Sequence, residues 1–274
     1  MIDSIAINQI LILLLQCFIV AVLLLFLFRL RTIFGMGLLF TALGVFQYMQ
    51  VFLAASLYIE VIPGIMVTPG SMVMFTGSLF AVLLIYIRED ALEARKVIYA
   101  LLAANLVLAL LQIVFSWAVE GDFVTNIYNL PKEFFTINSR FLFVGTIVLF
   151  IDAFVIIFIY EAIARNISSL FLRMLITMIL VLAIDTTLFS LGTFAGTDQF
   201  KSIFVSGLVS KFSSAIVYST LFSIYLVYLD KGLKKNEIST SSFQDIFHTL
   251  TYRQKFEQIY KESEIQKIEL QQSE

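Results

Sequence analysis

Three ionisable side chains, Asp152, Asp185 and Lys211, sit in the uncharged runs 141–160, 174–197 and 202–229, each the only charge in its run. Two carboxylates and one ammonium can pair with each other, or hold a small solute by charge and hydrogen bonding. An ionisable group at the centre of a bilayer costs at least about 2.5–3.5 kcal/mol, so such groups face a bundle interior or a watery cavity and find partners there. Counted from one common side, Asp152 and Asp185 each lie about 11 residues deep, roughly 17 Å, and Lys211 about 8 residues, roughly 12 Å. Their levels agree to about one helical turn, and their runs are consecutive, which favours packing side by side. Lys211 is the expected partner of Asp185, with Asp152 competing or joining. One lysine facing two acids leaves a carboxylate over, and a buried carboxylate must be protonated, hydrated or matched by a cationic or hydrogen-bond-donating ligand. A buried ion pair can also exist for packing alone.

Other polar residues fall on the same faces. Thr177, Asp185 and Thr193 are spaced by eight, and Gly207, Lys211, Ser214 and Tyr218 follow an i, i+4, i+7, i+11 stripe. Asn105 and Gln112 share a face, and Gln47 and Gln50 form a second amide pair. An amide offers both a donor and an acceptor, which suits the edge of a heterocycle, and it serves equally well as glue between helices. Gln47, Gln50, Asn105, Gln112, Ser214 and Tyr218 therefore join the two acids and the lysine as candidate ligand-binding residues. Gly35, Gly37 and Gly44 are expected where helices approach closely.

The elements that must hold these residues follow from composition. Over 274 residues, 60% are hydrophobic and only 14% charged, with a mean hydropathy of +0.95; soluble domains carry roughly a quarter charged residues. The apolar residues form long blocks, and about 18 or more in a row are needed to span a hydrocarbon core as a helix. The alternating segments of a β-barrel are not the pattern here. The chain is read as an all-α integral membrane protein, a seven-helix bundle with spans at 8–28, 33–59, 70–87, 97–119, 141–160, 174–196 and 203–229. The first span is too long for a signal peptide's apolar core and has no basic residues before it, so it is expected to stay in the mature chain. Residues 1–230 form the bundle and 231–274 a charged, helix-prone tail.

Lys and Arg collect on one side. Arg29, Arg31, Arg88, Arg95, Lys96, Arg165, Arg173, Lys231, Lys234 and Lys235 make ten, against Lys132, Arg140 and Lys201 opposite. The positive-inside bias then puts the N-terminus outside and the C-terminus in the cytoplasm. The overall charge of −2 carries less information than this asymmetry.

Between spans two and three, Pro63 and Pro69, each followed by glycine, break the helix and keep the chain near the outer surface, with a re-entrant turn as one outcome. The outer loop 120–140, rich in aromatics, reads as an interfacial anchor, with a lid as the alternative. Cys17 has no partner cysteine and reads as a packing residue. The one histidine, His248, is in the tail, and no phosphate-cradling glycine loop followed by lysine occurs. Catalysis, a cofactor, a metal and nucleic-acid binding are not expected.

The segments 69–111, "IDAF" at 151–154 and "AIDTTLFSLGTFAG" at 183–196 resemble the VUT, or queuosine precursor transporter, family of bacterial membrane proteins. The resemblance spans about residues 40–230. It implies uptake of a 7-deazapurine through a bundle similar to the substrate-binding subunits of ECF vitamin transporters, and it carries over Asp152 and Asp185 as acids of the fifth and sixth spans. The extra first span and the tail depart from that family. "FHTLTYRQKFE" (247–257) is similar to the junction after seven-span input domains of bacterial sensor histidine kinases. Uptake of a small polar solute is thus the first expectation and membrane sensing through the tail the alternative. The partners expected are that solute and the lipid bilayer, with a cytoplasmic signalling protein and a second copy of the chain left open.

Overall fold

The computed structural model describes residues 4–121, 123–125, 127, 139–230 and 246. Helix α1 is Ser4–Arg29, the short α2 is Arg31–Phe34, and α3 is Gly37–Ser56. An antiparallel hairpin follows, β1 at Ile59–Ile62 and β2 at Ile65–Val67. A π-helical turn, Gly70–Phe75, runs into α4 at Thr76–Arg88, and then come α5 at Ala91–Glu120, α6 at Ser139–Ala164 and α7 at Leu170–Phe194. Last are α8 at Phe200–Ile224 and a closing π turn, Tyr225–Leu229. Seven of these helical stretches are long and apolar enough to cross a membrane. The protein is a seven-helix membrane bundle, as the apolar runs demand.

In α4 every residue from Thr76 to Ile85 is buried. Among the membrane-spanning helices this is the central one, in contact with α1, α5, α6, α7 and α8. A helix apolar on every side belongs at such a centre. The rim helices turn side chains such as Leu11, Leu15 and Phe18 of α1 and Leu106, Leu110 and Val114 of α5 outward, where they are about half exposed or more. That outward shell suits lipid, because no polar group needs satisfying there. The most extensive contacts join α6 to α7 and α7 to α8, the three helices that carry the buried charges.

Several expectations are corrected. Span two does not start at residue 33: α2 ends at Phe34, before Gly35, whose positive φ of 69° favours glycine, and α3 begins only at Gly37. The chain at 59–67 is a hairpin rather than a re-entrant turn. Pro63 and Gly64, with φ 82° at the glycine, occupy the two central turn positions, the residue order that a type II turn favours. Gly35, Gly37 and Gly44 mark no close approach, for a Cβ on any of them would meet nothing within 4 Å. The tight places are elsewhere: a Cβ on Gly70 would lie 2.3 Å from the Gln50 carbonyl oxygen, on Gly77 2.9 Å from the Tyr218 hydroxyl, and on Gly207 2.9 Å from Thr186 Cγ2. Cys17 is buried and unpaired, in keeping with its packing role. Most of the outer loop 120–140, including the anchor or lid expected there, lies outside the described residues, as does the tail apart from Ile246. Ile246 is buried and belongs to the same core cluster as the bundle residues.

A candidate solute site between the last three helices

α6, α7 and α8 hold the site because each is a continuous apolar helix whose one mid-span charge has to turn inward, the remaining charges lying near the helix ends. Lys211 on α8 forms a buried ion pair with Asp185 on α7. The lysine ammonium also sits 4.9 Å from the ring centroid of Phe75, in the π turn before α4, and an aromatic face supports a desolvated cation. Thr186, one residue beyond Asp185, fills the space at Gly207, so α7 and α8 meet closely just one turn from the lysine.

Asp152 on α6 is fully buried. It interacts electrostatically with both Asp185 and Lys211, so all three predicted charges gather in one place. No N–H or hydroxyl among the described residues donates to its carboxyl oxygens, and its one hydrogen-bonding neighbour is the Asp185 carboxyl. Two carboxylates facing each other offer acceptors only. With both acids ionised the cluster would carry one negative charge more than its lysine balances, and a proton shared between the carboxyls, a cation or the N–H of a ligand can supply the difference.

The hydroxyls around this cluster divide into two groups. Thr186 donates to the Leu182 carbonyl at 2.7 Å, Ser210 to Gly207 at 3.0 Å and Ser214 to Lys211 at 2.9 Å. Such back-bonds within one helix satisfy the hydroxyl locally. Ser214, expected to contact ligand, is committed in this way. Farther along the same two helices, eight positions from Asp185 and Lys211, Thr177 and Ser219 are buried with hydroxyl oxygens that have no partner among the described residues.

Tyr218 is fully buried and donates to the Val73 carbonyl at 2.8 Å, inside the π turn. Its ring stacks on Phe80 at 5.3 Å, and Gly77 leaves the room for it. This residue fixes α8 against α4 instead of offering a free phenol. Its π turn is a feature that recurs at functional sites, and it also places Phe75 against the lysine.

The amides are more dispersed. Gln47 is fully buried with both side-chain polar atoms unpartnered, and Gln50 has an unpartnered carbonyl oxygen. Both lie on α3, which packs on the π turn and on α5. Asn105 of α5 is buried, whereas Gln112 is only half-buried farther along the same helix. No hydrogen bond among the described residues links these amides to the charge cluster. Sequence reasoning missed Phe75, Thr177 as a free hydroxyl, and Ser219. Phe75 carries no sequence signal, while Ser219 lies eight positions after Lys211 on its face and was findable by spacing.

Both ends of α8 are anchored. The hairpin is tied to α8 by the Met66 amide donating to Ser206 Oγ at 3.1 Å and by Ser202 donating to the Gly64 carbonyl at 3.2 Å. At the other end Arg88 grips Asp230 with two bonds, 2.7 and 2.8 Å, so the end of α8 is fastened to the end of α4.

Residues 21–226 match the family model described as vitamin uptake-like sensor. The chain belongs to that family. The match runs from within α1 to the start of the π turn after α8, so it takes in Asp152, Asp185 and Lys211 together. No curated protein and no solved structure matches the chain. The vitamin uptake-like sensor family is a membrane family rather than an enzyme family, and both resemblances drawn from the sequence, to vitamin-type uptake proteins and to sensory input domains, converge on it.

Proposed function

We propose that the bundle binds a small polar solute against Asp152, Asp185 and Lys211 and signals its presence through α8 to the tail. The observation that carries this is Asp152, fully buried beside an ion pair, with no N–H or hydroxyl among the described residues donating to it and only another acid, Asp185, as its hydrogen-bonding neighbour. A structural salt bridge needs one acid, and a second acid without such a donor suits a ligand that brings N–H donors. A 7-deazapurine fits this chemistry, with its ring N–H and amino groups toward the carboxyls. The tail is cytoplasmic on this reading, in a bacterial inner membrane, because the basic residues gather at the end where α8 stops.

Sensing is favoured over uptake by the family's description and by the placement of Lys211 on the last helix, which leads directly into the tail. Uptake remains the second reading, favoured by the segments that resemble queuosine precursor transporters. The deciding experiment measures binding of a radiolabelled 7-deazapurine to the purified chain in nanodiscs, with wild type and Asp152→Asn compared. Saturable binding lost in the variant supports the site; no binding by wild type rejects this solute class. Deleting residues 236–274 should abolish a cellular response and leave binding intact for a sensor. Accumulation of label in cells above the empty-vector level, untouched by that deletion, would establish uptake instead.

A further inference from the structure

The basic end of the bundle contains a second polar feature that the solute site does not use. A cavity of about 290 Å³ lies between the ends of α1, α4 and α8, lined by three arginines, Arg29, Arg31 and Arg88, together with Thr32, Tyr225 and Asp230. Its size is at the small end of the range for ligand pockets.

The donors around it are unevenly used. Arg31 is fully engaged: Nε pairs with Glu89 at 2.5 Å, Nη1 donates to the Phe28 carbonyl at 3.1 Å, and Nη2 reaches Asp230 at 3.4 Å. Arg88 spends Nε and Nη2 on Asp230, which leaves Nη1. Among the described residues Arg29 makes one hydrogen bond, from Nη1 to the Leu229 carbonyl at 3.2 Å, and no ion pair. A guanidinium has five N–H donors in a fixed fork, so Arg29 keeps most of its own. Three cations against Asp230 and Glu89 leave one positive charge in excess.

We propose that this cavity binds a phosphate group, held between the open fork of Arg29 and the free Nη1 of Arg88. Phosphate suits it because its several oxygens accept from two arginines at once, where a single carboxylate, Asp230, already occupies the inner face of Arg88. Two sources share this chemistry: the headgroup of an anionic lipid, since basic pockets between helix ends bind such headgroups, and a free phosphate or phosphate ester in solution. Either would tie α1 to the ends of α4 and α8, next to residue 231 where the tail begins.

The test uses the full chain with two probes. Inorganic phosphate is titrated into protein held in a phosphate-free detergent, with thermal stabilisation as the readout. Separately, protein is reconstituted in phosphatidylcholine nanodiscs with or without phosphatidylglycerol, and lipid retained on extraction is counted by native mass spectrometry. Response to the first probe identifies a soluble phosphate; selective retention of phosphatidylglycerol alone identifies a headgroup. Arg29→Gln, which breaks no ion pair, should weaken whichever probe binds by roughly ten-fold or more, the loss expected for a charge-assisted hydrogen bond. Asp230→Asn should strengthen it, because the built-in competitor for Arg88 loses its charge. Failure of both probes to bind wild type, or binding that Arg29→Gln leaves unchanged, overturns the proposal.

Discussion

Lys211 is paired with Asp185 across the α7–α8 interface, and both side chains are buried. Removing one member of such a pair strands the other as an uncompensated charge, which typically costs about 3–5 kcal/mol. Lys211→Met, which strands Asp185, should therefore lower stability strongly, Asp185→Asn should cost less because Asp152 remains to face the ammonium, and the double variant should recover a large part of the loss from Lys211→Met. Denaturant unfolding in detergent micelles reads this directly. Equal destabilisation by Lys211→Met and by the double variant would mean that the pair contributes through shape rather than charge.

Gly77 and Tyr218 form a second coupled pair. A Cβ on Gly77 would lie 2.9 Å from the Tyr218 hydroxyl, and Tyr218 cannot retreat without giving up its bond to the Val73 carbonyl. Gly77→Ala should cost about 1–3 kcal/mol, the usual penalty for overpacking. Tyr218→Phe should cost about 1 kcal/mol for the lost hydrogen bond. Placed together the two should cost less than their sum, since removing the hydroxyl removes the clash. A double-mutant cycle by thermal unfolding checks the sign of that coupling.

The bundle and its three charges were legible because both rest on one rule, the expense of polarity in hydrocarbon. Long apolar runs had to span, and Asp152, Asp185 and Lys211 stood out by interrupting them at matched depth. What stayed hidden depends on which helix face meets which neighbour. Nothing local separates Gly77, pressed against Tyr218, from Gly44, which faces open space. Phe75 is one of 28 phenylalanines, and only the fold brings it to Lys211. Arg88 and Asp230 read as ordinary charges at span ends, 142 positions apart, and their bidentate grip appears only once α4 and α8 lie side by side. The hairpin was findable: Pro-Gly between β-branched residues is a turn signal, and reading it only as a helix break left its strands unseen.

The hairpin's attachment to α8 can be loosened without touching the charges. The Met66 amide donates to Ser206 Oγ, and Ser206 is itself buried. Ser206→Ala should leave global stability within about 1 kcal/mol, the net value of one hydrogen bond, and should speed exchange of the Met66 amide. Hydrogen exchange with mass spectrometry resolves the segment 59–67. If the hairpin covers the path to the solute site, the same variant will also speed ligand dissociation at nearly constant unfolding temperature.

Asp152 separates a binding role from a packing role. Its oxygens accept from no N–H or hydroxyl among the described residues, and its one hydrogen-bonding neighbour is the Asp185 carboxyl, so Asp152→Asn removes an acid without stranding a cation. It also lifts the repulsion on Asp185 and leaves Lys211 with a single acid, a balanced pair. A purely structural carboxyl would make this substitution destabilising. A carboxyl kept for a ligand makes it neutral or stabilising, by about 1 kcal/mol or more when an unpaired buried charge is replaced, while the affinity for a donor-bearing solute falls at least about ten-fold. Measuring unfolding and solute binding on the same preparation of Asp152→Asn decides between the two, because the structural role predicts that stability falls and the binding role predicts that only affinity does.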